Sequence, residues 1–285
     1  MNKTIKIKVE TSKRIFCFYA LLNFLGYDPE ILPTNTVRKK ARLFLKESLA
    51  DHKEKFNKVK NLIEKKEASK EFWFPLRTWI LCHGQPPEFK EVSPYWKNFM
   101  NIELGGFFEK EIKEFWKVSQ LPHLWKTLRV NYAKVKEDCY YNAKKSVEGS
   151  LNYLKIKDFN FNKFVVIPNF LEEYNRGIGP KIDNVAYAIL GPSKEGGFPI
   201  QRIEHEFLHS IINPITKDLL HNQVSKKELS IIREGLIHAI VLRLNKSNKK
   251  YYGRREKKLK ESGNYKFVVF LKKYEEQKNS FKDFF

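Results

Sequence analysis

Residues 205 to 209 read HEFLH, two histidines four apart with a glutamate beside the first. On a helix four residues advance about 400°, so His205 and His209 project about 40° apart, one turn displaced. Two imidazoles so placed can share one zinc ion at about 2.0–2.1 Å. Glu206 lies about 100° round the helix from His205. Its carboxylate can there face a water at the metal without ligating the metal, as a general base must. The spacing predicts a Zn2+ site with hydrolytic chemistry. The alternative is a helix carrying two satisfied histidines and a surface glutamate.

A catalytic zinc takes a third protein ligand and keeps one position open. Downstream the candidates are His221, Glu228, Glu234 and His238. Ser225 and Glu228 form an S-x-x-E capping box, which accounts for Glu228. His221 falls in a connection between helices. Glu234 lies 25 residues after His209, well inside a second helix and beside apolar neighbours such as Ile231 and Ile237. A carboxylate on a partly buried face needs a partner, and zinc is one; an ion pair with Arg233 or a lysine is the other. Gly235 lowers helix stability by about 1 kcal/mol relative to alanine, a cost that fits close packing by another segment. Glu234 is the favoured third ligand.

The segments HEFLHSIINP (205–214) and REGLIHAIVLRL (233–244) resemble the gluzincin metallopeptidases. More closely, they resemble an uncharacterised, largely bacterial gluzincin-like family classed as a domain of unknown function. In that family a helical N-terminal part precedes the metal helices. Asp51-His52 and the aromatics Phe99, Phe107 and Phe108 fall where similar features are expected. The resemblance implies zinc held by His205, His209 and Glu234, with Glu206 as base, acting on a peptide or protein substrate. It also implies an extended peptide laid along an edge strand above the metal. Val185 to Leu190 is expected to be that strand, with Ala186, Tyr187 and Ala188 binding substrate by strand addition; an interior strand is the alternative. His238 stands where the family carries an arginine, one turn after the ligand glutamate. It is expected to orient the site or to donate to the developing oxyanion, with a core histidine as the other reading. Tyr187, Tyr251 and Tyr252 are weaker oxyanion candidates.

The elements that must position these residues can be read in outline. Ile5, Ile7 and Val9 alternate with Lys6, Lys8 and Glu10, a strand pattern. Ser12 can cap a helix running to Leu25, stopped by Gly26. Thr36 to Lys66, Glu71 to Cys82 and Pro94 to Leu154 read as helical, the last with breaks near Gly105-Gly106 and Pro122. The character changes near 155. Phe164 to Ile167 and Val185 to Leu190 are strand-sized apolar runs, with a turn at Gly177, Gly179 and Pro180 between them. Pro199 suits the start of a helix ending at Asn213-Pro214, and Ser225 opens the next. Phe267 to Leu271 reads as a strand or a helix. The fold class is α+β: a mainly helical part over 1–155, then a zincin-like catalytic part over 156–285 with a small sheet and two metal-bearing helices. If strand Ile5 to Val9 joins that sheet, the boundary is artificial.

Composition narrows the function classes. The chain has 285 residues with 54 Lys and Arg against 33 Asp and Glu, a formal charge of +21. That field favours anionic partners, and the run Arg254, Arg255, Lys257, Lys258 and Lys260 suits non-specific polyanion binding. A nucleic-acid or anion-binding module with structural or absent metal is therefore the second reading. It is weakened by the lack of any recognised base-reading motif. An inert zinc-binding relative is a third, disfavoured by Glu206. Three cysteines without a CxxC spacing exclude a disulfide framework and point to a reducing, cytoplasmic setting. No apolar run reaches the length of a membrane span. The alternation before Ile15 argues against reading Ile15 to Leu25 as a signal peptide.

Overall fold

The computed structural model describes residues 4–26, 36–67 and 72–285. Its sheet begins with β1 (Lys6–Val9), which leads through Ser12 into α1 (Lys13–Phe24). The Ser12 side chain accepts from the Ile15 N–H, as its sequence position predicts. Every residue of α1 from Arg14 to Asn23 is buried, in keeping with a helix that is apolar all round. α2 (Thr36–Ser48) and α3 (Asn57–Glu67) are separated by a 3₁₀ segment, Ala50–Phe56, so the long helical stretch is two helices. α4 spans Trp73–Leu81; Glu71, expected in it, lies outside the described residues. α2, α4, α5 (Ile102–Val118) and α6 (Leu121–Leu154) pack around α1.

Gly105 and Gly106 do not break the chain: α5 runs through both. A Cβ at Gly105 would stand 2.3 Å from the Trp96 ring, so the glycine is there to admit an indole. Pro122 sits in the first turn of α6, where its missing N–H costs nothing.

α6 leads to β2 (Lys163–Pro168), β3 (Gly177–Ile178), β4 (Lys181–Ile182) and β5 (Val185–Leu190). β1 pairs with β2, and β2 with β5, both parallel. The residues before and after 155 therefore share one sheet. β3 and β4 both pair antiparallel with β5, on its other side. Gly177 faces Leu190 and Lys181 faces Ala186 in one unbroken register, so 177–182 acts as a single strand turned back at Asp183-Asn184. β5 is thus an interior strand, and the segment that its glycines and proline mark as a turn is the edge. The reason is spatial: the face of that edge carrying Gly177 and Gly179 must stay low, because the next helix crosses it closely.

That helix is α7 (Ile200–Leu220), lying on β5 and β3 with α6 alongside. It continues through Pro214 instead of stopping there. A mid-helix proline costs about 3 kcal/mol or more, but Ile211, Ile212, Ile215 and Thr216 around it are all buried. Burial of that face outweighs the lost bond. α8 (Lys226–Leu244) returns antiparallel to α7, opened by the Ser225–Glu228 capping box. α9 (Lys249–Glu261) and α10 (Tyr265–Glu275) pack against α8, which makes Phe267 to Leu271 helical. A last short turn, Phe281–Phe284, closes the described chain. Among the described residues no helix is long and apolar enough to cross a membrane.

Candidate metal centre

Two clamps fix α7 against α8. At one end Asn245, which caps α8, donates from Nδ2 to buried Glu204. Burial pushes the Glu204 carboxyl up to about 7. At the other end Arg233 donates from Nε to Thr216 Oγ1 at 2.8 Å and from Nη2 to the Asn213 carbonyl at 3.2 Å. Arg233 is thereby committed away from Glu234. Between the clamps the two helices bring His205, His209 and Glu234 together, with one donor atom from each within 4.8 Å of the others.

The distances bear on which ion such a group fits. His205 Nε2 lies 3.3 Å from His209 Nε2. Glu234 Oε2 stands 3.6 Å from His205 Nε2, and Oε1 stands 3.4 Å from His209 Nε2. Ligands at about 2.0–2.1 Å from a tetrahedral zinc are about 3.3–3.4 Å apart. The two nitrogens stand at that separation, and the Glu234 carboxylate straddles them with one oxygen toward each, a donor set whose chemistry suits zinc. Burial and the neighbouring imidazoles hold His205 well below the ordinary imidazole pKa, so it is neutral, the form that ligates a metal. Asn213 Oδ1 stands 3.5 Å from His209 Nδ1, on the ring's far side from the cluster. Glu234 is about half exposed, so charge burial does not explain its place. Its ion-pair neighbours are three histidines: His205, His209 and His238.

Glu206 points elsewhere. It is 2% exposed, and burial pushes its carboxyl up to about 7 against the opposing pull of His209 and Arg202. It borders a cleft of about 560 Å³ together with His205, His209, Glu234 and the edge strand 176–179. An ideal Cβ at Gly177 would lie 2.5 Å from Glu206 Oε1, and one at Gly179 would lie 2.5 Å from the Glu206 carbonyl oxygen. The two glycines let the edge strand cross directly over the glutamate.

The other expected residues are distributed as follows. His238 packs its ring on His205, centroids 4.7 Å apart, and its Nε2 is 3.9 Å from Glu234 Oε2. Arg255 Nη2 donates to its Nδ1, since a guanidinium can only donate. Burial, Arg255, Arg202 and His209 push its pKa down to about 3. His238 is therefore neutral and stands behind the ligands; it does not line the cleft, which favours an orienting part over an oxyanion donor. Arg255, read from the sequence as part of an anion-binding run, turns inward to make this contact. Ala186, Tyr187 and Ala188 sit on interior β5, hydrogen-bonded on both sides, and cannot offer a free edge. The free edge belongs to 177–182. Tyr187 faces Arg14 and Glu10, Tyr252 accepts from Arg243, and neither they nor Tyr251 border the cleft. His221 ends α7 and Glu228 caps α8, away from the centre.

The cleft also has walls that sequence reading did not single out: Phe74 from α4, Tyr174, Arg176 and Arg202. A buried network ties together the segments that carry Phe74 and Tyr174. Tyr19 Oη donates to Glu172 Oε2 at 2.5 Å, and Arg77 donates from Nη2 to the same oxygen at 3.2 Å and from Nε to Tyr19 Oη at 2.8 Å. Only Arg202 carried a signal in the sequence, standing one turn before Glu206 on the same helix.

Gly235, beside the third ligand, has a local reason as well. A Cβ there would stand 2.2 Å from the Phe267 ring of α10. Gly235→Ala gains about 1 kcal/mol in helix propensity but overpacks a buried contact at about 1–3 kcal/mol. The melting temperature is expected to fall, and Phe267→Leu in the same chain is expected to restore part of it. A rise in the single variant would show that the ring yields freely.

Comparison with protein-family models, with curated proteins and with solved structures gave no match.

Proposed function

We propose that the protein is a zinc-dependent peptidase of gluzincin type, with a zincin-like arrangement of sheet and metal helices. The observation that carries this reading is the clustering of His205, His209 and Glu234, one donor atom of each within 4.8 Å of the others, beside a buried carboxylate that borders the same cleft. A structural zinc site needs no such carboxylate. When bound, zinc supplies a Lewis acid that lowers the pKa of water toward about 7 and polarises a carbonyl. Glu206 accepts the proton of the attacking water and returns it to the leaving nitrogen. A carboxyl raised by burial can do both near neutral pH. His238, fixed by Arg255, packs on His205 and orients that ligand.

The edge strand supports a peptide as substrate. The Tyr187 N–H bonds to the Pro180 carbonyl, and the Gly191 N–H to that of Arg176. Residues 176, 178, 180 and 182 therefore face β5, and the N–H and C=O of Gly177 and Gly179 face outward. An extended peptide can add to that edge by main-chain hydrogen bonds, over Glu206 and beside the ligands. The three cysteines are all buried and unpaired, which agrees with a reducing compartment such as the cytoplasm.

Elemental analysis of protein purified without added metal is expected to give one zinc per chain, and a peptide library is expected to be cleaved only by the zinc-loaded form. Zinc affinity should fall toward acid pH, where protons compete for the imidazoles. Stoichiometry near zero that added zinc cannot restore would remove the metal centre, and a zinc-loaded protein that cleaves nothing would remove the peptidase.

A further inference from the structure

The cleft holds a cation that the proposed hydrolysis does not use. Arg202 borders the cleft one turn before Glu206. Its side chain is 28% exposed, its nearest carboxylate is Glu206 Oε1 at 3.9 Å, and its guanidinium makes no hydrogen bond among the described residues. Five N–H donors are thus left without a protein acceptor. Arg255 lies close enough to add repulsion, and its own contact is the neutral His238. Burial penalises the Arg202 charge as well. The neighbouring cleft arginine, Arg176, differs in being ion-paired to Glu173. Charge counting sharpens the point. With Zn2+ in place, Glu206 and Glu234 set two negative charges against the metal, Arg202 and Arg255 together, which leaves an excess of positive charge. Such an excess beside a reaction centre is stabilised by an anion that arrives with the substrate.

We propose that Arg202, backed by Arg255, is the receptor for a substrate carboxylate, so that the peptides cleaved are those carrying a carboxylate close to the scissile bond. This rests on the peptidase reading and adds the substrate class. A free C-terminus and an acidic side chain both supply the group, and the two are separable by experiment.

The probes are uncleavable ketomethylene analogues of an acetylated tetra-alanine peptide, titrated calorimetrically into the zinc-loaded protein. One pair compares the free C-terminal acid with its amide. A second pair, both amidated, compares glutamate with glutamine beside the isostere. One acidic member is expected to bind about 10–100-fold more tightly than its neutral counterpart, the range for a hydrogen-bonded charged group. Whichever pair shows the difference identifies the source. Arg202→Met is expected to abolish the preference with zinc content unchanged. Arg202→Lys, which keeps charge and stem and serves if the methionine variant fails to fold, is expected to retain only part of it. Equal binding within both pairs overturns the inference. So does a preference that survives in a folded Arg202→Met, since that belongs to the general field of a chain with charge +21. Cleavage of the ordinary peptides is read separately. Cleavage indifferent to the carboxylate overturns the Arg202 assignment and leaves the peptidase. An Arg202-dependent preference without any cleavage overturns the peptidase and leaves an anion receptor.

Discussion

Glu206→Gln is expected to keep its zinc and its melting temperature and to lose peptide hydrolysis by about 10²–10⁴-fold, the usual worth of a positioned base. The change preserves size and removes the proton acceptor. It touches none of the donor atoms that cluster: those belong to His205, His209 and Glu234. Glu234→Gln is expected to fail in the opposite order. A neutral amide oxygen is a poorer zinc ligand than a carboxylate, so metal should be lost first. A chelator should then lower the melting temperature more readily than in the parent. The measurements are zinc content, thermal melting with and without chelator, and turnover, made on both variants. Should Glu206→Gln lose zinc while Glu234→Gln keeps it with full activity, the two roles are wrong. If neither variant changes metal, stability or turnover, the histidine pair is an ordinary feature of a buried helix.

The parts of this site that were legible in the sequence are those fixed by local geometry. His205 and His209 share a helix face because four residues make about one turn. The Ser225–Glu228 capping box announces α8 for a similarly local reason, and both halves of the box form. Glu234 could be favoured from its place beside a buried face, since Gly235, Leu236 and Ile237 are buried, but the three histidines around its half-exposed carboxylate could not be read. The edge strand could not be read, because the residues that make it an edge look like a turn. Arg176-Gly177-Ile178-Gly179-Pro180 carries two glycines and a proline, and those glycines answer to Glu206 of α7, Gly177 to its side chain and Gly179 to its backbone, a partner more than twenty residues on. Val185 to Leu190 looks like a substrate strand only until its two neighbours are known. Phe74 was hidden for the same reason, reaching the cleft from a helix about 130 residues before the histidines. Pro214 misled in the other direction, since its cost is local and the burial that offsets it is tertiary.

The two glycines over Glu206 are expected to fail differently, and the difference tests how the base is aimed. At Gly177 an added Cβ would meet the glutamate side chain, at 2.5 Å from Oε1, 2.8 Å from Cδ and 2.9 Å from Cγ. A side chain can rotate away, so Gly177→Ala should fold with nearly the parent melting temperature and bind zinc normally. The carboxylate, however, must leave its position. A misplacement of about 1 Å costs on the order of 10²-fold in rate, so turnover should fall by that order. At Gly179 the Cβ would meet the Glu206 carbonyl oxygen at 2.5 Å and its backbone carbon at 3.2 Å. Backbone cannot rotate aside, so α7 and the edge strand must separate. Gly179→Ala should therefore lose about 1–3 kcal/mol of stability, the range for overpacking. Zinc affinity should drop with it, because His205 moves with the same helix. Thermal melts, zinc titration and turnover on both variants read these outcomes. A Gly177→Ala protein with parental turnover would show that the glutamate need not sit where the strand holds it, and its role as base would go. A Gly179→Ala protein as stable as the parent would show instead that the edge strand is not pressed against α7, and the strand would lose its place over the site.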